Sequence, residues 1–193
     1  MSLLRAFIAV ELPPEIHKAI ESETATLRAA LDSSLVRWVP TSNIHLTLKF
    51  LGGVSPANVE LLTQMLSVEV NQYESFTIKF EGLGAFPNPR RPRVIWIGIQ
   101  APTDFEALQH GIEAAAATLG YPAEKRPFSP HLTIGRVKQH AGPAGMQKIR
   151  NALEEMEVGA LGTVQANAVH LFKSDLKPTG AVYTRLFSAP LKK

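Results

Sequence analysis

The chain has 193 residues, of which 45% are hydrophobic and 19% are charged, a balance typical of a globular protein with a substantial core. It contains no cysteine, which excludes disulfides, zinc–thiolate sites and a thiol nucleophile. The formal net charge of +3 suits an anionic ligand such as a nucleic acid. The sequence has no targeting pattern and no apolar run of bilayer length, so we expect a cytoplasmic protein that does not bind membranes.

The first half of the sequence predicts strands that alternate with helices. Runs of apolar or alternating residues that end at Pro or Gly predict the strands, and apolar residues at helical spacing predict the helices. In chain order these are a strand at 5–13, a helix at 15–31, an extended segment at 36–40, a strand at 43–51, a helix at 55–70, a strand at 76–80 and a loop at 82–92.

The second half repeats this order. Its predicted elements are a strand at 93–99, a helix at 104–119, a strand at 128–134, a helix at 143–157 and a strand at 164–172. Corresponding positions lie at a nearly constant offset, which is 93 − 5 = 88, 131 − 45 = 86 and 171 − 83 = 88. We therefore predict one α+β domain over 1–193 with two duplicated lobes, roughly 1–85 and 93–175, each an antiparallel or mixed sheet that carries two helices. Exchange of chain segments between the lobes stays open.

Two tetrapeptides of one pattern lie at corresponding positions of the halves. Residues i and i+2 of a strand share a face, so His45 would project together with Thr47, and His131 with Thr133. The aliphatic residues between and after them would face a core. The tetrapeptides are HLTL at 45–48 and HLTI at 131–134.

Two histidines and two hydroxyls that converge on one point suit the cleavage of a phosphodiester. The reaction needs a base and an acid, and histidine serves as either because its unperturbed pKa is about 6.5. Threonine hydroxyls can donate to the non-bridging oxygens. A zinc site is the weaker alternative, because no third ligand lies at suitable spacing. We expect no metal and no cofactor, and we assign no role to the remaining histidines, which are His17, His110, His140 and His170.

The paired tetrapeptides resemble the signature of the 2H phosphoesterase superfamily. The wider match resembles its RNA 2′,3′-cyclic phosphodiesterase branch, whose bacterial and archaeal members are also called 2′-5′ RNA ligases. The resemblance covers nearly the whole chain. It includes the segments 5–13, 43–52, 82–96, 126–136 and 171–176.

This resemblance implies a bilobal fold in which two antiparallel sheets line a central cleft and the helices lie outside. It also implies an enzyme that opens a 2′,3′-cyclic phosphate at an RNA end and leaves a 2′-phosphate. By analogy with the family, His45 is the proton donor to the departing 3′-oxygen and His131 accepts a proton from water, with Thr47 and Thr133 beside them. The expected substrates are RNA ends or nucleotides that carry the cyclic phosphate, and we expect a monomer.

Three basic residues are predicted to contact the substrate. Arg126 and Arg136 flank the second motif, where a guanidinium can meet phosphate. Strict alternation would put Arg136 on the face opposite His131, unless Gly135 breaks the strand's regularity. Lys49 would share the face of the first histidine and add positive charge there.

Aromatic residues near the motifs are candidates for stacking on a base. Phe7 and Phe128 are predicted to do so, as aromatic side chains do on single-stranded RNA ends. For Phe50 we expect core packing instead, because alternation puts it on the same face as Leu46.

Three other functions stay open. The same site could join RNA ends through a 2′-5′ bond without ATP, although the abundance of water favours hydrolysis. A nucleotide- or RNA-binding module with little turnover is a second alternative, against which the intact histidines and threonines argue. The third is a phosphoesterase that acts on a small nucleotide such as an ADP-ribose cyclic phosphate.

Overall fold

A computed structural model describes residues 3–178 and 180–193 of the chain. Within these residues the chain forms nine strands, four α-helices and a short 3-10 helix, Thr41–Asn43. The strands are β1 (Leu4–Val10), β2 (Val36–Trp38), β3 (Leu46–Val54), β4 (Phe76–Phe86), β5 (Val94–Gln100), β6 (His131–Val137), β7 (Gly162–Ala166), β8 (Ala168–Lys177) and β9 (Gly180–Pro190). The helices are α1 (Pro14–Ala30), α2 (Pro56–Val70), α3 (Thr103–Thr118) and α4 (Gly142–Glu155).

The strands form two sheets with related strand orders. One sheet has the order β3-β1-β8-β9 and the other has the order β2-β6-β5-β4-β7. Neighbouring strands are antiparallel in both. Position by position, the four strands β3-β1-β8-β9 of the first sheet match the four strands β6-β5-β4-β7 of the second. The predicted α+β class with two duplicated sheets is therefore confirmed.

Each sheet contains strands from both halves of the sequence. Strand β8 lies beside β1, and β4 lies beside β5, so the halves exchange these strands. The two sheets therefore do not coincide with lobes drawn at 1–85 and 93–175. Such an exchange is the possibility that the sequence left open.

The helices pack on the sheets through apolar stripes. In α1 the buried residues Ile16, Ile20 and Leu27 recur at helical spacing. Helix α2 begins where the Ser55 side chain accepts a hydrogen bond from the backbone N–H of Asn58, as the Ser-Pro pattern predicts. Among the described residues, no helix combines the length and the apolar character that crossing a bilayer requires.

The observed ends of several strands differ by about three residues from the predicted ones, and three segments differ more. Strand β4 continues to Phe86, beyond the predicted end at 80, because the positive φ of Gly82 and a shift of register let the strand continue past the glycine. The predicted strand 164–172 divides at Asn167 into β7 and β8, which belong to different sheets. The sequence did not predict β9, which forms the edge of the first sheet.

Candidate active site

Each motif histidine is fixed by the same backbone contact. His45 lies directly before β3, and its Nδ1 is 2.8 Å from the carbonyl oxygen of Asn43. His131 begins β6, and its Nδ1 is 2.7 Å from the carbonyl oxygen of Ser129. A carbonyl oxygen can only accept, so Nδ1 carries the proton in each neutral ring. Nε2 of each ring is left as the nitrogen that exchanges protons.

The alternation predicted for the motifs holds through the threonines. Leu46 and Leu132 are buried, and the histidine and threonine side chains on either side of them are half-buried. Thr47 and Thr133 therefore project with their histidines. We call this side of each sheet the histidine face.

Aromatic rings hold His45 in place. Its imidazole stacks on Phe7 with ring centroids 4.5 Å apart, and Tyr183 from β9 meets it edge-on at 5.2 Å. Phe7 in turn stacks on Phe172 at 5.3 Å. Only 3% of Phe7 is exposed, so this ring packs beneath the histidine and is not free to stack on a base. The base-stacking role that the sequence predicted for Phe7 is therefore wrong.

The segment that carries His45 is tied to two other elements. The side-chain amide of Asn43 donates to the carbonyl oxygen of Ala181 in β9 at 2.8 Å. Nε2 of His17 in α1 lies 3.2 Å from the carbonyl oxygen of Ile44 and donates to it. His17 is therefore half-buried. A cavity of about 280 Å³ lies here beside His45.

The surroundings of His131 are more open on one side. Phe86 meets the ring edge-on at 4.9 Å and also packs on Trp96 at 5.3 Å. Gly98 of β5 lies directly opposite His131, so no side chain covers the imidazole from that position. A Cβ at Gly98 would come within 2.6 Å of a backbone carbonyl oxygen, which explains why glycine is needed there.

A β-bulge follows each threonine. In the pairing of β1 with β3 the register shifts at Leu48, and in the pairing of β5 with β6 it shifts at Ile134. The two positions are related by the offset of the repeat, 134 − 48 = 86. A bulge inserts one unpaired residue, so the side chains beyond it change face.

The first bulge reverses the predicted positions of Lys49 and Phe50. Lys49 turns away from the histidine face, is 3% exposed, and places its Nζ 2.5 Å from Oε2 of Glu113 in α3. Phe50 turns onto the histidine face, where it pairs with Phe7 and is 69% exposed. The predictions of substrate contact for Lys49 and of core packing for Phe50 were both wrong, because alternation stops at the bulge.

The second bulge brings Arg136 to the histidine face. Arg136 pairs with Val94, is exposed, and is close enough to His131 to lower the pKa of the imidazole. Its charge also opposes the rise in the pKa of Tyr183 that burial causes. Because Tyr183 contacts the ring of His45, one cation lies near the surroundings of both histidines.

For the other two predicted contacts, the structure gives partners outside the two tetrapeptides. Arg126 is exposed and pairs with Glu124 at 3.5 Å. The ring of Phe128 packs against that of Phe105, with centroids 5.8 Å apart, at the edge of the core. Packing therefore accounts for Phe128, and we do not retain its predicted role in base stacking.

Burial lowers the pKa of both motif histidines. For His45 the hydrogen bond to Asn43 opposes this effect. For His131 the bond to Ser129 opposes it, and Arg136 adds to it. The neutral imidazole is thus favoured in the free protein, which suits a group that must accept a proton.

The three other histidines differ in their exposure. His110 and His140 are exposed, whereas His170 is 8% exposed, with Nε2 3.9 Å from a carboxylate oxygen of Glu11. In the part of the chain that the structure describes, no group of three or more His, Cys, Asp or Glu side chains is arranged to hold a metal ion.

Several residues at this site were not predicted from the sequence. Tyr183 lies on β9, a strand that was itself not predicted, although the β-branched and aromatic residues at 182–184 favour a strand. Phe86 lies in the extension of β4 that had been taken for a loop. Arg37 pairs with Arg136 across β2 and β6 and therefore shares its face.

Comparison with known proteins supports the duplication and identifies the family. The model of the LigT-like phosphoesterase family matches the chain twice, at 10–96 and 97–183, an offset of 97 − 10 = 87. An RNA 2′,3′-cyclic phosphodiesterase of Methanothermobacter thermautotrophicus is 34% identical over 94% of this chain and 95% of its own length. Its counterpart in Archaeoglobus fulgidus is 33% identical over 95% of this chain and 98% of its own.

A solved structure agrees with this result. LigT of E. coli, crystallised with 3′-AMP, superposes with a TM-score of 0.80 and 25% identity over 99% of both chains. The match extends across both sheets and both motifs. The chain belongs to the LigT-like phosphoesterase family, a family of 2H phosphoesterases.

Proposed function

We propose that this protein is an RNA 2′,3′-cyclic phosphodiesterase that opens the cyclic phosphate at an RNA end and leaves a 2′-phosphate. The observation that carries the proposal is the matched pair of histidines. Each has its Nδ1 engaged by the carbonyl two residues earlier, which leaves Nε2 for proton transfer. The names of the relatives in Methanothermobacter and Archaeoglobus support the reaction and an RNA substrate.

The reaction then proceeds by in-line displacement at phosphorus. His131 takes a proton from water through Nε2 as the water oxygen bonds to phosphorus. The bond from phosphorus to the 3′-oxygen breaks on the opposite side. His45 gives the proton on its Nε2 to that oxygen, which becomes a 3′-hydroxyl, and the 2′-phosphate remains. Each histidine contributes roughly 10²- to 10⁴-fold to the rate.

The other polar groups stabilise charge on the phosphate. The hydroxyls of Thr47 and Thr133 donate to its non-bridging oxygens, and the guanidinium of Arg136 balances their negative charge. Burial disfavours the protonated imidazole that His45 needs as an acid. A bound phosphate anion opposes this effect, because a nearby opposite charge stabilises the protonated form.

The same groups would serve ligation, with an RNA 5′-hydroxyl in place of water and without ATP. The concentration of water favours hydrolysis as the main direction. We also propose that the whole chain acts as one domain, which the strands exchanged between its halves support. The monomeric state and the cytoplasmic location stay predictions.

The first experiment replaces the two histidines one at a time. We expect His45→Ala and His131→Ala each to lower the turnover of a nucleoside 2′,3′-cyclic phosphate by at least about 10²-fold, because each removes one proton transfer. Chromatography of the products measures the rate and distinguishes a 2′- from a 3′-phosphate.

Exposed His110 provides the matched control, and His110→Ala should retain full activity. Circular dichroism checks that all three variants are folded. Full activity in either motif variant would exclude the paired acid–base scheme, and a 3′-phosphate product would exclude the assigned leaving group.

A further inference from the structure

Tyr183 has a hydroxyl group that the fold does not use. The chain has three tyrosines, and the hydroxyl of Tyr73 donates to Glu69 while that of Tyr121 accepts from Asn58. No described residue forms a hydrogen bond with Oη of Tyr183. This hydroxyl is therefore free to bond to a ligand.

The ring of Tyr183 is fixed beside the histidine of the first motif. Its centroid lies 5.2 Å from that of the His45 imidazole and 4.9 Å from that of Phe7, and both contacts are edge-on. The residue is half-buried. A hydroxyl on a ring that packing already holds in place is a preorganised donor to an oxygen anion.

Arg5 lies at the same level of the first sheet as Tyr183. It precedes Ala6, which pairs with Lys173 of β8, and Tyr183 pairs with Ser174, the residue after Lys173. The two residues are therefore two strands apart, with at most about 10 Å between their Cα atoms. Arg5 is exposed, and alternation along β1 puts it on the histidine face. Its guanidinium and the phenol hydroxyl can thus reach one ligand between them.

Two cations act on this hydroxyl, one from each sheet. The charges of Arg136 and Arg5 both oppose the rise in the pKa of Tyr183 that burial causes. No described carboxylate lies within salt-bridge distance of either arginine. Asp175, which follows the strand partner of Tyr183, pairs with Lys173 at 2.9 Å. A hydroxyl donor near two such cations favours an anionic ligand.

We propose that Arg5 and the hydroxyl of Tyr183 bind a second phosphate, the one on the 5′ side of the nucleotide that carries the cyclic phosphate. This inference rests on the proposed function, in which His45 protonates the 3′-oxygen of that nucleotide. The ribose is bonded to this oxygen, so its 5′-phosphate lies near the same histidine, which Tyr183 contacts. Arg136 serves the reacting phosphate, and each of the two phosphates then has its own cation.

Kinetics with two substrates test the second phosphate site. The substrates are adenosine 2′,3′-cyclic phosphate with and without a 5′-phosphate. We expect kcat/KM of the wild-type protein to be about tenfold higher with the 5′-phosphate, because hydrogen bonds between charged groups are strong. The ratio should fall to near one in Arg5→Met and be partly kept in Arg5→Lys, which retains the charge. It should fall about threefold in Tyr183→Phe, which keeps the ring against His45 and removes the hydroxyl.

Exposed Lys148 on α4 supplies the matched control, and Lys148→Met should keep the wild-type ratio although it removes one positive charge. A wild-type ratio near one would overturn the proposal. An unchanged ratio in Arg5→Met would overturn it as well, because equal losses on both substrates would indicate a structural role. An unchanged ratio in Tyr183→Phe would reject the hydroxyl as a ligand of the phosphate.

A binding measurement separates this proposal from the proposed reaction. The probes are adenosine 2′-phosphate and adenosine 2′,5′-bisphosphate, which have no cyclic phosphate to open. Titration calorimetry should give a Kd about tenfold lower for the bisphosphate with the wild-type protein and nearly equal values with Arg5→Met. Such a preference in a protein that turned over neither cyclic nucleotide would retain the phosphate site and reject the reaction. Equal Kd values with the wild-type protein would reject the phosphate site and leave the reaction standing.

Discussion

At the scale of single residues, burial and the charge of Arg136 both lower the pKa of His131 and so affect the pH range in which it can act as a base. Burial lowers the pKa of this imidazole, the bond to Ser129 opposes burial, and the cation of Arg136 lowers the pKa further. We expect Arg136→Met to raise the pKa of His131, because one of the forces that disfavour its protonated form is gone. His131 must be neutral to accept a proton from water, so the acidic limb of the pH profile of kcat/KM should move to higher pH.

The charge-retaining variant Arg136→Lys serves as the control. It should leave the acidic limb near its wild-type position, even where the loss of a bidentate contact with phosphate raises KM. A profile of Arg136→Met with the wild-type acidic limb would mean that the arginine does not act on the base. The measurement is kcat/KM for one cyclic nucleotide across the range from about pH 5 to about pH 8.

At the scale of elements, the bulge after Thr47 is held by a buried polar network. Nζ of Lys49 bonds to Glu113 and to the carbonyl oxygen of Pro122, and Gln109 donates to the carbonyl oxygen of Leu48 at 3.2 Å. At the other bulge, a backbone N–H of the segment after β2 donates to the equivalent carbonyl at 2.9 Å. The carbonyl oxygen at the bulge is thus bonded by the backbone that follows β2 in one sheet and by a side chain of α3 in the other.

This network predicts an unequal effect of single and double substitutions. Lys49→Met should lower the free energy of unfolding by about 3 kcal/mol, because it leaves the largely buried carboxylate of Glu113 without its partner. Lys49→Met combined with Glu113→Leu should recover most of that loss, since no charge is then stranded. Urea unfolding measures both. A double variant less stable than the single one would show that the ion pair itself stabilises the fold.

The same bulges mark the limit of what the sequence could predict. The face of each histidine and threonine followed from alternation, and the repeat offset related the two motifs. Nothing at Leu48 distinguishes a bulge from a regular strand, so Lys49 and Phe50 were assigned to the wrong faces. Gly135 gave a hint at the second bulge, since glycine tolerates the irregular backbone there. The topology of β4 and β8 could not be predicted, because either strand fits beside β1 by its pattern alone.

At the scale of the whole molecule, three histidines with depressed pKa values make stability depend on pH. Burial is the first cause for His45, His131 and His170. In the unfolded chain each titrates near its ordinary value of about 6.5 and therefore binds protons more readily than in the fold. The stability they contribute is complete above that value and is lost as the pH falls below it.

We therefore expect a lower urea midpoint at about pH 5.5 than at about pH 8. His170→Gln should reduce the difference, because it removes one of the three groups and lies outside the proposed acid–base pair. Equal midpoints at the two pH values in the wild-type protein would contradict the burial of these imidazoles. A difference that His170→Gln leaves unchanged would exclude His170 as a contributor.

The path of the chain between the sheets limits how the site can move. In the described residues the backbone passes from one sheet to the other four times, between β1 and β2, β2 and β3, β3 and β4, and β7 and β8. Hinged enzymes open by bending a few connecting residues. Here a clamshell motion would have to distort all four connections together. The site is therefore expected to be largely preformed, so that ligands are selected by how well they fit its existing shape.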